Sequence, residues 1–86
     1  MRTIWKTQLQ TKDVQEIEVP KESQFLTAQL QGEALCLWYR CDPTAEKEKR
    51  WIAICGTGHE CPPDWHYLST FQLYGGGLIF HVFVKP

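Results

Sequence analysis

Residues 50–86 read RWIAICGTGHECPPDWHYLSTFQLYGGGLIFHVFVKP, and the fold class turns on positions 67–84 within them. Tyr67 to Tyr74 sets Leu68, Thr70, Gln72 and Tyr74 against Tyr67, Ser69, Phe71 and Leu73, a period of two that suits a strand and no helix. Gly75-Gly76-Gly77 permits a reversal, and Leu78 to Val84 returns as an aliphatic and aromatic run with His81 at its middle. A C-terminal β-hairpin follows. The quoted stretch carries three of the four Phe and all three His, so core and candidate chemistry concentrate there.

Working back toward the start, Trp51 to Cys55 reads as a strand ended by Gly56-Thr57-Gly58-His59. Pro62 and Pro63 remove two ladder donors, so residues 56–66 form the longest irregular stretch, where binding residues tend to lie. Thr44 to Lys49 is a charged loop tip with some helical propensity but too little length for a stable helix. Ala34 to Cys41 alternates Leu35, Leu37, Tyr39 and Cys41 with Cys36, Trp38 and Arg40. Apolar residues on both sides make that strand central or interfacial.

Gln31-Gly32-Glu33 is a hairpin turn from Phe25–Gln31, in which Leu26, Ala28 and Leu30 share one face and Phe25, Thr27 and Gln29 the other. Alternation over Ile4–Leu9 and Val14–Val19 predicts two further strands linked near Lys12-Asp13. The expected fold is all-β: a single domain over 1–86, a small antiparallel sandwich or barrel of six to seven strands.

Composition narrows the function classes. Eighty-six residues allow one domain, and 43% apolar with 13% aromatic content is ordinarily globular. So many large side chains in so small a chain leave some aromatics exposed, and a homo-oligomer would bury them. A net charge of −1 without a basic patch argues against nucleic acid. Lys47, Lys49 and Arg50 alternate with Glu46 and Glu48 as a solvated loop does. The opening Met1–Lys6 has no apolar run of signal or membrane-spanning length, so a cytoplasmic protein with reduced cysteines is expected.

Several motifs extend over nearly the whole chain: Ile4-Trp5-Lys6, Cys36-Leu37-Trp38 with Asp42-Pro43, Gly56-Thr57-Gly58-His59, and Thr70-Phe71-Gln72 with Gly75–Gly77 and Phe80-His81-Val82-Phe83. In these the chain resembles a family of small bacteriophage-encoded proteins of unassigned function. The resemblance implies an accessory protein that interferes with a host process. Such a protein either holds a host defence protein or sequesters a nucleotide-derived defence signal.

Four constellations carry candidate chemistry. Gly56-Thr57-Gly58-His59 can offer backbone N–H groups, the Thr57 hydroxyl and the His59 ring to a phosphate, or it is simply a tight turn. Trp38, Trp65, Tyr67 and Tyr74 offer flat faces for a base, Trp38 and Trp65 being favoured, with Arg40 as a phosphate partner and Gln72 as a directional polar contact. Cys55, His59, Cys61 and His66 invite a zinc site, yet their spacing lacks a C-x2-C knuckle, and no metal or cofactor is expected. A Cys61–His59 or Cys61–His66 nucleophile pair has no evident orienting group. His81 is expected to pair with a polar neighbour such as Gln72. The sequence therefore favours a non-catalytic sponge for a nucleotide-like ligand, with a protein-interaction module as the alternative.

Overall fold

The structure, a computed structural model, describes residues 1–86. Seven strands form in chain order: β1 (Thr3–Gln8), β2 (Val14–Pro20), β3 (Gln24–Gln31), β4 (Ala34–Cys41), β5 (Lys47–Gly56), β6 (His66–Leu73) and β7 (Leu78–Val84). They make two antiparallel sheets, a three-stranded one in the order β1-β4-β3 and a four-stranded one in the order β2-β5-β7-β6. The all-β reading and the C-terminal hairpin hold. No helix is long and apolar enough to cross a membrane.

The core lies between the sheets and is built from the inward positions of both. Leu37 and Ala28 from the three-stranded sheet and Val19, Ile52 and Val82 from the four-stranded one are wholly buried. Away from two bulges, inward and outward residues alternate, so the strands contribute about half their side chains to this layer. Gly32 enters the β3–β4 loop with φ +62°, which only glycine adopts freely, and a two-residue reversal results. The β6–β7 reversal is a single 3-10 turn over Tyr74–Gly76, with positive φ at Tyr74, Gly75 and Gly76.

β5 begins at Lys47, where the sequence suggested a loop tip. Its polar first half is held by β2, with Glu18 facing Lys49 and Glu16 facing Trp51, and a diagonal Glu16–Lys49 ion pair at 3.7 Å. Alternating charges on paired strands did the work that apolar residues do elsewhere.

Two β-bulges correct the simple alternation. One lies in β3 between Phe25 and Thr27, the other in β6 between Tyr67 and Ser69. Each inserts one residue and so exchanges faces on one side of itself. Phe25 therefore turns inward to pack edge-on against Tyr39 (centroids 6.3 Å apart), while Leu26 is left 39% exposed. Tyr67 turns outward, onto the face of Thr70 and Gln72.

The bulged edges of the two sheets meet. The Ala28 N–H donates to Ser69 Oγ at 2.8 Å, and the Thr27 and Ser69 hydroxyls lie 3.1 Å apart. A hydroxyl thus takes the place of a strand partner where both edges are buried. On the opposite side, residues 9–13 cross between sheets, fixed by Leu9 N–H to Leu35 O (2.8 Å) and Ile54 N–H to Asp13 O (2.9 Å). There the buried Gln15 amide accepts from the Gln10 N–H (2.9 Å) and donates to its carbonyl (2.7 Å), again imitating a strand.

Ser69→Ala should leave the Ala28 N–H buried and unpaired, a loss of about 1–3 kcal/mol. Urea denaturation measures it. A loss below about 0.5 kcal/mol, the size of an ordinary surface change, would mean that the hydroxyl does not join the sheets.

Candidate functional site

The outward face of an antiparallel sheet normally meets water with polar side chains. Here one rung across the four-stranded sheet runs Val14, Ala53, Phe83 and Tyr67, from β2 through β5 and β7 to β6. Tyr67 packs edge-on against Phe83, with centroids 5.9 Å apart and planes at 71°. Tyr67 remains 59% exposed and Val14 47%, and Trp51, on the same face of β5, is 39% exposed. Val14, Tyr67 and Trp51 stand exposed around a half-buried Phe83 and a buried Ala53 (1% exposed), which makes this face chemically unlike a solvated one.

The next rung is polar and hydrogen-bonded. Tyr67 Oη lies 2.7 Å from Thr70 Oγ1, Thr70 Oγ1 2.9 Å from His81 Nδ1, and His81 Nε2 2.8 Å from Thr57 Oγ1. One orientation uses every donor: Tyr67 gives to Thr70, Thr70 to Nδ1, the Nε2–H to Thr57, and Thr57 to the Ile79 carbonyl at 3.4 Å. Both ring nitrogens are thereby occupied. His81 acts as a tie between β6, β7 and the 56–59 turn rather than a free base. Its partners are Thr70 and Thr57 instead of Gln72, because Gln72 lies opposite Ile79, one rung further along the sheet.

Gly56–His59 is a tight turn in which the His59 N–H donates to Gly56 O at 3.0 Å and Gly58 carries φ +85°. The turn is close-packed at Gly56: a Cβ there would stand 3.1 Å from His59 Nδ1, and the exposed His59 ring would have to shift slightly. The Thr57 N–H donates to Ile79 O at 3.2 Å, so the turn spends two backbone donors and a hydroxyl internally.

Beyond the turn, residues 59–63 arch over a recess of about 430 Å³ lined by Asp13, Ala53, Cys55, His59, Glu60 and Cys61 among others. A second hollow of about 290 Å³ lies between the two glycine turns. Neither has a Lys or Arg in its lining.

The eight residues singled out from sequence fall in separate places. Gly56, Thr57, Gly58 and His59 form the turn just described, at the edge of both hollows. Trp38 and Arg40 lie on the outward face of the other sheet, where Arg40 donates to the Gln24 side-chain carbonyl and Trp38 stands between Lys6 and Thr27. Gln72 borders a hollow of about 530 Å³ at the β3–β4 and β6–β7 turns. Trp65 is half-buried just before β6. No single concavity collects the glycine turn, a Trp and Arg40.

The zinc and nucleophile alternatives gain no geometry. No three His, Cys, Asp or Glu side chains converge to hold a metal. Cys36, Cys41 and Cys55 are buried free thiols, and Cys61 is the exposed one. Burial first, then the neighbouring Cys61 and Asp13, pushes the Cys55 thiol above its usual range, so this buried thiol is a poor nucleophile. A thiol reagent at neutral pH should therefore modify one cysteine quickly, and Cys61→Ser should abolish that fast phase. Two fast equivalents would contradict the burial of Cys55.

Sequence reasoning passed over the apolar rung because Tyr67 owes its place to the bulge and Val14 and Trp51 were read singly. Compared with known proteins, the chain matches over residues 1–86 a family model described as "Domain of unknown function (DUF7352)". No curated protein and no solved structure matches it. With its full length covered by that match, the chain belongs to the DUF7352 family.

Proposed function

We propose that this protein is a non-catalytic interaction module that engages a protein partner through the outward face of its four-stranded sheet. The observation that carries the proposal is the apolar rung Val14–Ala53–Phe83–Tyr67 with Trp51 beside it. Exposed apolar patches mark binding surfaces, and Trp and Tyr are among the side chains on which interface energy concentrates. With Tyr67 59% and Trp51 39% exposed, burying the remainder of each ring contributes roughly half of the ~1.5–3 kcal/mol that full burial of a large side chain gives. Tyr67 is held ready by its hydroxyl bond to Thr70, so little side-chain freedom remains to be lost on binding. In keeping with the bacteriophage resemblance, the partner proposed is a host protein, and the setting is the host cytoplasm.

Sequestration of a nucleotide-derived signal is the second reading, favoured by one observation. The recess beneath residues 59–63, at about 430 Å³, has the size of a small-ligand pocket. Its lining works against a phosphorylated occupant, since Asp13 and Glu60 bring negative charge and no cation answers it.

Affinity capture from host lysate separates the two readings. Wild type and Ile4→Ser, altered on the opposite outward face, should retain the same protein. Trp51→Ser with Tyr67→Ser should lose about tenfold or more of it, as removal of central interface aromatics does. Equal capture by all three would refute the proposed surface. Calorimetry against cyclic and linear dinucleotides and ADP-ribose derivatives should give flat heats, and a saturable heat would favour sequestration instead.

A further inference from the structure

Arg50 differs from the other arginines. Arg2 donates to the Glu22 carbonyl and Arg40 to the Gln24 side chain, whereas Arg50 has no hydrogen-bond acceptor and no ion pair. It is not solvated in the manner of a surface loop either. β5 places it two positions before the buried Ile52, on the inward side of the strand, opposite Ile17 of β2. From there its guanidinium crosses to the other sheet and lies 4.6 Å from the centroid of the Phe25 ring.

The nearest acid on that side of β5 is Glu48, and one of its oxygens already accepts the Glu22 N–H at 3.0 Å. Glu16 is paired with Lys49 on the outward face. No buried side-chain nitrogen or oxygen in the protein lacks a partner, so the unanswered N–H groups of Arg50 open to solvent. They open at the mouth of the sandwich, beside a recess of about 230 Å³ bounded by Phe25, Arg50, His66, Tyr67, Leu68 and Val84.

We propose that this mouth is a binding site for an oxyanion, the carboxylate or phosphate group of a ligand. The guanidinium over Phe25 supplies forked donation, His66 a second donor, and Phe25 and Val84 the walls. A guanidinium held over a ring face, with its Cζ 4.6 Å from the centroid, loses little freedom when it bonds, and its planar pair of N–H groups matches two oxygens of a carboxylate or phosphate. Partial removal from water strengthens the attraction. At about 230 Å³ the recess is smaller than the roughly 300–1,000 Å³ of pockets that enclose a whole small ligand, and it suits the anionic end of one. The site stands whether or not the outward apolar face binds a partner, because Arg50 and Phe25 take no part in that face.

The test is an NMR titration of the intact chain with acetate and, separately, with inorganic phosphate, at ionic strength held constant with chloride. Saturable shifts are expected at Arg50 Nε, Phe25, His66, Leu68 and Val84, and the tighter of the two probes names the carboxylate or the phosphate arm. Arg50→Met keeps the apolar stem over Phe25 and should lose the saturable response. Arg50→Lys keeps the charge without the fork and should weaken binding by about tenfold, the usual consequence of losing bidentate geometry. His66→Gln should weaken it severalfold. Should Arg50→Met prove unfolded, the Arg50→Lys titration decides alone. Unsaturable shifts scattered over the surface with both anions, or wild-type affinity in the folded Arg50 variants, would overturn the proposal and leave Arg50 as a lid on the core.

Discussion

The contact on which the remainder of the structure depends is the meeting of two bulged strand edges at Ser69. β3 and β6 belong to different sheets and share no ladder, yet each carries one extra residue where they approach, and the Ser69 hydroxyl accepts the Ala28 N–H across the gap. A buried N–H without a partner costs more than a made bond returns, so edges that close the core must find acceptors. The bulges let two twisted sheets come close enough for a short side chain to serve. They also fix which residues face out. Tyr67 reaches the outward rung beside Phe83, and Phe25 reaches the interior, where it meets Tyr39 and carries Arg50.

Both candidate surfaces therefore share one cause. The outward apolar rung and the Arg50 mouth lie on opposite sides of the four-stranded sheet, and Tyr67 touches on both, as a rung member and as a wall of the mouth. The polar rung alongside gives this region its stiffness. A chain of four side chains, Tyr67, Thr70, His81 and Thr57, binds β6, β7 and the 56–59 turn into one unit. Both nitrogens of its imidazole are already engaged, so the network ties strands together.

Much of the fold was legible in the chain. Gly32 and the triple glycine announced their reversals, and the strict alternation of Leu35, Leu37, Tyr39 and Cys41 announced β4. The bulges were not legible, because Leu26 and Leu68 are ordinary strand residues and nothing in their chemistry signals an insertion. A period-two count carried past them put Phe25 and Tyr67 on the wrong faces. The beginning of β5 was hidden for another reason: Lys47 to Arg50 has the composition of a loop and is a strand because it pairs with Ile17 to Pro20 of β2, a partner distant in sequence. Sheet membership was beyond reach as well. Trp38 and Arg40 lie on the three-stranded sheet, across the core from the Gly56–His59 turn, and one-dimensional spacing holds no trace of that separation.

The central claim is that the paired bulges send Tyr67 outward and Phe25 inward, and a nuclear Overhauser spectrum of the aromatic side chains tests it directly. The account predicts cross-peaks from the Tyr67 ring to the Phe83 ring and the Thr70 methyl, and from the Phe25 ring to Tyr39 and the Arg50 side chain. Cross-peaks from Tyr67 to the buried Val82 and Phe71, with Phe25 seeing only solvent-side neighbours such as Thr27 and Gln29, would place both residues on the opposite faces and contradict it.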